Sequence, residues 1–185
     1  MKLCLMFLSV AFLGAMAARL PQNDQNGSGH KTDRWRKLNS GPVCFGARDN
    51  QFGRFYIPPG GGNVGALKLV HLYGYVSCDT RYKIHWSYWG CAHHGGIKEK
   101  ISVAITTSSN HIILPASQLV PDSSLWTTIP GYDSQSPEII LSFFSHPRPM
   151  TSGEELHLWY GEDLASHTEG DNGGRVCCDV YALFI

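Results

Sequence analysis

The sequence predicts an all-β protein, an antiparallel β-sandwich of the jelly-roll kind. Three observations point there. Short apolar or alternating runs recur at strand length from Cys44 onward. Turn formers separate them, and no stretch carries a capped 3.6-residue period. The last run, 175–185, reaches the C-terminus as a strand, as closed sandwich topologies do.

Each run has its own signature. Residues 66–77, ALKLVHLYGYVS, are almost continuously apolar, as expected of a strand buried on both sides. Residues 82–89 alternate, with Tyr82, Ile84, Trp86 and Tyr88 on one face. Residues 100–106 alternate more cleanly, with Ile101, Val103 and Ile105 inward and Ser102, Ala104 and Thr106 outward. Further strands are expected at 111–114, 138–144, 154–160 and 175–185. Pro58-Pro59, Gly60-Gly61-Gly62, Pro121-Asp122, Pro130-Gly131 and Asp171-Asn172-Gly173-Gly174 supply the turns.

The first 17 residues are expected to leave the mature chain. Lys2 precedes the apolar run 3–14, and Ala15-Met16-Ala17 follows as an A-x-A cleavage signal. That run is shorter than the ~20 residues a membrane-spanning helix needs. What remains is enough for one domain and too short for two. The 15 basic and 15 acidic side chains balance, so nothing draws the chain to nucleic acid or to an anionic membrane. Residues 18–42 are polar and turn-rich, and are expected to form a disordered leader before a domain spanning 43–185. Asn26-Gly27-Ser28 is a glycosylation sequon there, so Asn26 is expected to carry a glycan. Lys31, Arg34, Arg36 and Lys37 around Trp35 read as a solvated basic linker.

An exported chain can oxidise its thiols. Beyond the signal stand Cys44, Cys78, Cys91, Cys177 and Cys178, an odd number that leaves one thiol over. Pairing Cys78 with Cys91 closes the aromatic hairpin between them, and pairing Cys44 with Cys177 ties the domain's ends together. Neighbouring residues of a strand face opposite ways, so Cys177 and Cys178 serve different surfaces. Cys91-Ala92-His93-His94 has too little of the paired-cluster spacing of a zinc site to compete with a disulfide.

The strongest candidate for a site is the acidic loop. Glu162, Asp163, Glu169, Asp171 and Asn172 place four carboxylates and an amide within eleven residues, among glycines that free backbone carbonyls. Oxygen ligands on such a loop suit Ca²⁺, which takes six to eight of them, while the same residues also make ordinary turns and caps. Catalysis has less support, because no nucleophile accompanies the carboxylates and no hydrolase, nucleotide or zinc motif occurs. Gly60, Gly62 and Gly65 match a dinucleotide fingerprint only formally, since a strand and not a helix follows. Trp86, Tyr88, Trp89, Trp126 and Tyr132 read mainly as core. Trp89 and His85, on the face opposite Trp86, could instead line a lectin-like sugar site.

The block Leu158-Trp159-Tyr160-Gly161-Glu162-Asp163-Leu164, with Glu169, Asp171-Asn172, Gly174-Arg175-Val176-Cys177 and Asp179-Val180-Tyr181-Ala182, resembles an uncharacterised secreted cnidarian domain. Proteins of that general kind occur in coral skeletal organic matrix. Tyr88-Trp89-Gly90-Cys91, Pro130-Gly131-Tyr132 and Ser136-Pro137-Glu138 extend the likeness over residues 44–185. The resemblance implies an extracellular, non-enzymatic protein working in structure or adhesion, with matrix components or glycans as partners. It also marks Cys178 as a departure from the pattern, hence the thiol left free or available to a second chain. A carbohydrate-binding module and a secreted hydrolase using the acidic loop are the competing readings.

Overall fold

The computed structural model describes residues 34–97, 99–120, 125–166 and 168–185. The expected signal peptide and the glycosylation expected at Asn26 lie outside these residues. Ten strands fill the described chain: β1 (Trp35–Lys37), β2 (Val43–Gly46), β3 (Gly53–Tyr56), β4 (Gly62–Ser77), β5 (Val103–Thr107), β6 (Ile112–Leu114), β7 (Glu138–Ser142), β8 (Arg148–Met150), β9 (Glu155–Tyr160) and β10 (Gly173–Phe184). One short helix, α1 (Gly161–Ala165), and three 3-10 turns accompany them.

Every paired strand is antiparallel. Strands β4 and β10 run the length of one sheet and are long enough to take two neighbours each on their outer edges. Thus β10 pairs β2 through Arg175–Cys178 and β1 through Tyr181–Leu183, while β4 pairs β8 and β7 in turn. The order across this sheet is β2-β10-β4-β7, and across the other β3-β9-β5-β6. The chain changes sheet at β2–β3, β3–β4, β4–β5, β6–β7, β8–β9 and β9–β10, so that two four-strand orders face each other in the manner of two Greek keys, which makes the sandwich a jelly roll. At Gly74 φ is +87° and a Cβ would run into the Arg175 carbonyl oxygen, so only glycine fits here, two residues from the point between Tyr73 and His71 where the β4–β10 ladder shifts register.

Alternation holds where a strand has one wet face. In β7, Ile139 and Leu141 are buried while Glu138, Ile140 and Ser142 are half-buried. They meet Phe45, Leu67, Leu69, Ile105, Leu156 and Leu158 in the core between the sheets. In and just before β5 the expected outward residues Ser102, Ala104 and Thr106 are buried as well. A second apolar layer of Leu125 and Trp159, with Phe52 and Val120 against it, covers that face. Trp159 Nε1 donates to Thr106 Oγ1 at 3.2 Å, satisfying the hydroxyl there.

Two expectations need correction. Residues 82–89 are not a regular strand: Lys83–His85 form a 3-10 turn and only Ser87 bridges Val76. The Cys78–Cys91 bridge and the buried Trp89 hold this segment where strand pairing would otherwise have to. The ordered domain also begins before residue 43. Trp35–Lys37 pair with β10, Leu38 N–H donates to Val180 O at 2.8 Å, and Asn39 Oδ1 accepts from Val180 N–H at 2.8 Å. Lys37 reaches Asp179 at 2.7 Å, and Lys68 lies 5.1 Å from the Trp35 ring. A polar, charged segment is ordered here because an unpaired edge of β10 gives its backbone a ladder to join.

Candidate functional site

Trp89 organises one end of the sandwich. Its ring is fully buried, its Nε1 donates to Ser136 O at 2.7 Å, and the Tyr88 and Trp89 amides both donate to Ser134 O. These bonds clamp the turn 131–136 onto the aromatic segment. Within the turn Asp133 Oδ1 accepts from the Gln135 amide at 2.8 Å and from Ser136 Oγ at 3.3 Å, so the aspartate shapes its own loop. Gly90 permits the close approach, since a Cβ there would meet Lys100 O at 2.9 Å. The clamp leaves an open cleft of about 230 Å³ lined by Ala92, His93, Glu99, Asp133, Ser134 and Gln135. Its exposed groups, two carboxylates, an imidazole and an amide, can both accept from and donate to neighbouring hydroxyls of a polyol, while Ser134 is buried beneath them. The sequence offered Ala92 and His93 only within a zinc motif that was set aside, and Glu99, Ser134 and Gln135 not at all. The turn itself is signalled by Pro130-Gly131-Tyr132-Asp133, which reads as turn punctuation.

The placement of Trp89 corrects the sugar-site expectation built on it. Trp89 is inaccessible and His85 is buried, so neither presents a face to a sugar ring. The accessible aromatics nearby are Tyr73, Tyr75 and Tyr82. Tyr88 is stacked on His71 with ring centroids 3.8 Å apart.

The acidic loop is brought together, and most of its groups hold the fold. Glu162 and Asp163 sit buried on α1, where Gly161 lets the helix start against Ser102 and Leu125. Glu162 Oε1 accepts from Trp126 Nε1 and Thr168 Oγ1, each at 3.1 Å. Burial pushes its pKa up. Asp163 accepts from the Asn50 and Gln51 amides at 2.8 and 3.0 Å, and Glu169 Oε2 from the Asp49 amide at 3.2 Å. Together they cap a turn in which Asp49 and Asn50 both have positive φ. Burial, with Glu169 beside it, raises Asp163 to about 6. Asp171 pairs with Arg81 at 3.1 Å, and Asn172 Nδ2 donates to Ala47 O at 3.1 Å. Two buried oxygens of the loop, Glu162 Oε2 and Asn172 Oδ1, have no hydrogen-bond partner.

Cys44 bridges Cys177 and Cys78 bridges Cys91, with Cα atoms 4.0 and 5.4 Å apart. Cys178 is free and completely buried, and burial raises its thiol well above the ordinary range. Of the two expectations for this thiol, free or open to a second chain, its complete burial matches the free one.

No protein-family model matches the chain, and no curated protein matches it. Among solved structures the chain is similar to the lectin AJLec from the sea anemone Anthopleura japonica. The two share 35% sequence identity and superpose with a TM-score of 0.72, covering 82% of this chain and 97% of the lectin. The similar protein is thus cnidarian, and nothing ties it to a coral skeleton.

Proposed function

The chain belongs to the same family as the sea anemone lectin AJLec, and from that premise we propose that it is an extracellular, non-enzymatic carbohydrate-binding protein. The carrying observation is the likeness over nearly the whole of that lectin at 35% identity. The cleft of His93, Glu99, Asp133 and Gln135 supports the reading with the chemistry a sugar requires, exposed polar side chains gathered at a pre-formed turn. The disulfides suit an extracellular setting. The matrix role follows from the same reading: a glycan binder of balanced charge would attach to matrix through sugars and not through mineral.

Calcium remains part of the proposal. Glu162 Oε2 and Asn172 Oδ1 are the oxygens of the acidic loop that a cation would satisfy, while Asp163 and Asp171 are committed to backbone amides and Arg81. Their commitment leaves the five residues short of the six to eight oxygens Ca²⁺ takes.

A glycan array probed with the purified domain, in calcium and in chelator, tests the function. Binding to a defined set of sugars is expected, and Gln135→Ala or Glu99→Gln should abolish it without changing the melting temperature. An array that stays blank in both conditions overturns the lectin reading. Polymer turnover lost in Glu162→Gln would favour the hydrolase instead.

A further inference from the structure

The hairpin closed by the Cys78–Cys91 bridge holds a second chemical group that the lectin reading does not use. Cys78 Sγ, Cys91 Sγ and a ring nitrogen of His85 all lie within 4.8 Å of one another, and all three residues are buried. His85 keeps only 8% of its surface, and its Nδ1 makes no hydrogen bond. A buried imidazole nitrogen without a partner is costly, and the ring that carries it stands beside two sulfurs. The exposed His94 ring stands 5.2 Å from the His85 ring, on a turn whose Gly95 and Gly96 have open space around them. Two sulfurs and two imidazoles are the donor set of a tetrahedral Cys₂His₂ site. The Cα separation of 5.4 Å already brings both cysteines to one point.

We propose that this hairpin is a redox-gated site for a thiophilic divalent ion of the zinc class, closed when Cys78 and Cys91 are bonded and opened when they are reduced. The reductant is a dithiol. Cys78 retains 9% exposure and Cys91 none, so the attacking thiolate meets Cys78 Sγ. That attack forms a mixed disulfide and releases Cys91 as a thiolate. The second thiol of the reductant then displaces Cys78, leaving with its own sulfurs bonded and both protein sulfurs reduced. Two electrons and two protons pass from the dithiol to the cysteines. The incoming ion takes both sulfurs as thiolates, expelling those two protons, and His85 supplies the third ligand from its neutral ring. His94 swings in as the fourth.

Cobalt(II) titration of the whole chain reduced with a phosphine is the test, because tetrahedral thiolate-bound cobalt is directly visible. One ion per chain is expected, with a thiolate-to-cobalt charge-transfer band, displacement by zinc and release of about two protons per ion. The oxidised chain should give no such band. His85→Ala should weaken binding by roughly tenfold or more and Cys78→Ser should abolish the band. Thermal melting of the same reduced chains guards against misfolded variants: zinc should raise the transition of the natural chain and leave that of His85→Ala unmoved. A reduced chain with no charge-transfer band, a band unchanged in His85→Ala, or equal binding by the oxidised protein overturns the proposal.

Discussion

At the residue scale, Asp163 carries the clearest consequence. Its carboxylate caps the Asn50 and Gln51 amides, yet burial raises its pKa to about 6. Between the ordinary carboxylate range near 4 and that value, the native state holds a proton that the unfolded chain has lost. Stability should therefore rise as pH falls from 7 through 6. Asp79 acts in the opposite sense: Arg81 holds it at about 2, so stability present above its ordinary range is lost as pH falls toward 2. Denaturant melts across pH should show greater stability near pH 5 than at pH 7, and Asp163→Asn should flatten that rise. Asp163→Ala leaves two amides without acceptors and should cost about 1–3 kcal/mol at pH 7. Trp89→Ala removes a fully buried ring and its bond to Ser136, and should cost about 3–5 kcal/mol in the same assay.

Elements give predictions of a different kind, because here the backbone is the interacting group. Removing residues through Ser40 deletes β1 and strips Val180 of both Leu38 and Asn39. The truncated chain should melt several degrees lower, the shift of about 4–8 °C per kcal/mol known for small domains being halved in one this size. An unchanged transition would show that β1 adds nothing to β10. The two disulfides differ in reach: Cys44–Cys177 spans 133 residues and Cys78–Cys91 spans 13. In the chain-entropy model the longer loop is worth more, about 4–5 kcal/mol against about 3. Replacing Cys44 and Cys177 by alanine should therefore lower the melting temperature further than replacing Cys78 and Cys91.

For the whole molecule, the test is linkage. Any sugar or cation that binds only the folded chain stabilises it by mass action, about 2.7 kcal/mol at a hundredfold excess over its dissociation constant. A sugar positive on the array should raise the transition of the natural domain and not that of Gln135→Ala. Adding calcium and then chelator should raise and restore the transition if Glu162 and Asn172 hold an ion, and Asn172→Ala should remove the difference. Equal transitions in both conditions would leave the acidic loop as a polar cap for the turn at 47–51.

The sequence by itself determined the all-β class, most of the long strands and the grouping of the acidic residues around one loop. Strand periodicity is written locally in β7 and β9, and the five cysteines beyond the expected signal leave one without a partner inside the chain. Only the tertiary structure decided which faces were dry. Thr106 reads as outward until Trp159 covers it, and Trp89 reads as a sugar platform until Ser134 and Ser136 close over it. It alone assembled the cleft, whose Glu99 and Asp133 lie 34 positions apart in sequence and meet because the turn at 131–136 is clamped to Tyr88 and Trp89. Burial and long-range proximity are properties of the packed pair of sheets, and local pattern carries no record of which distant segment will arrive.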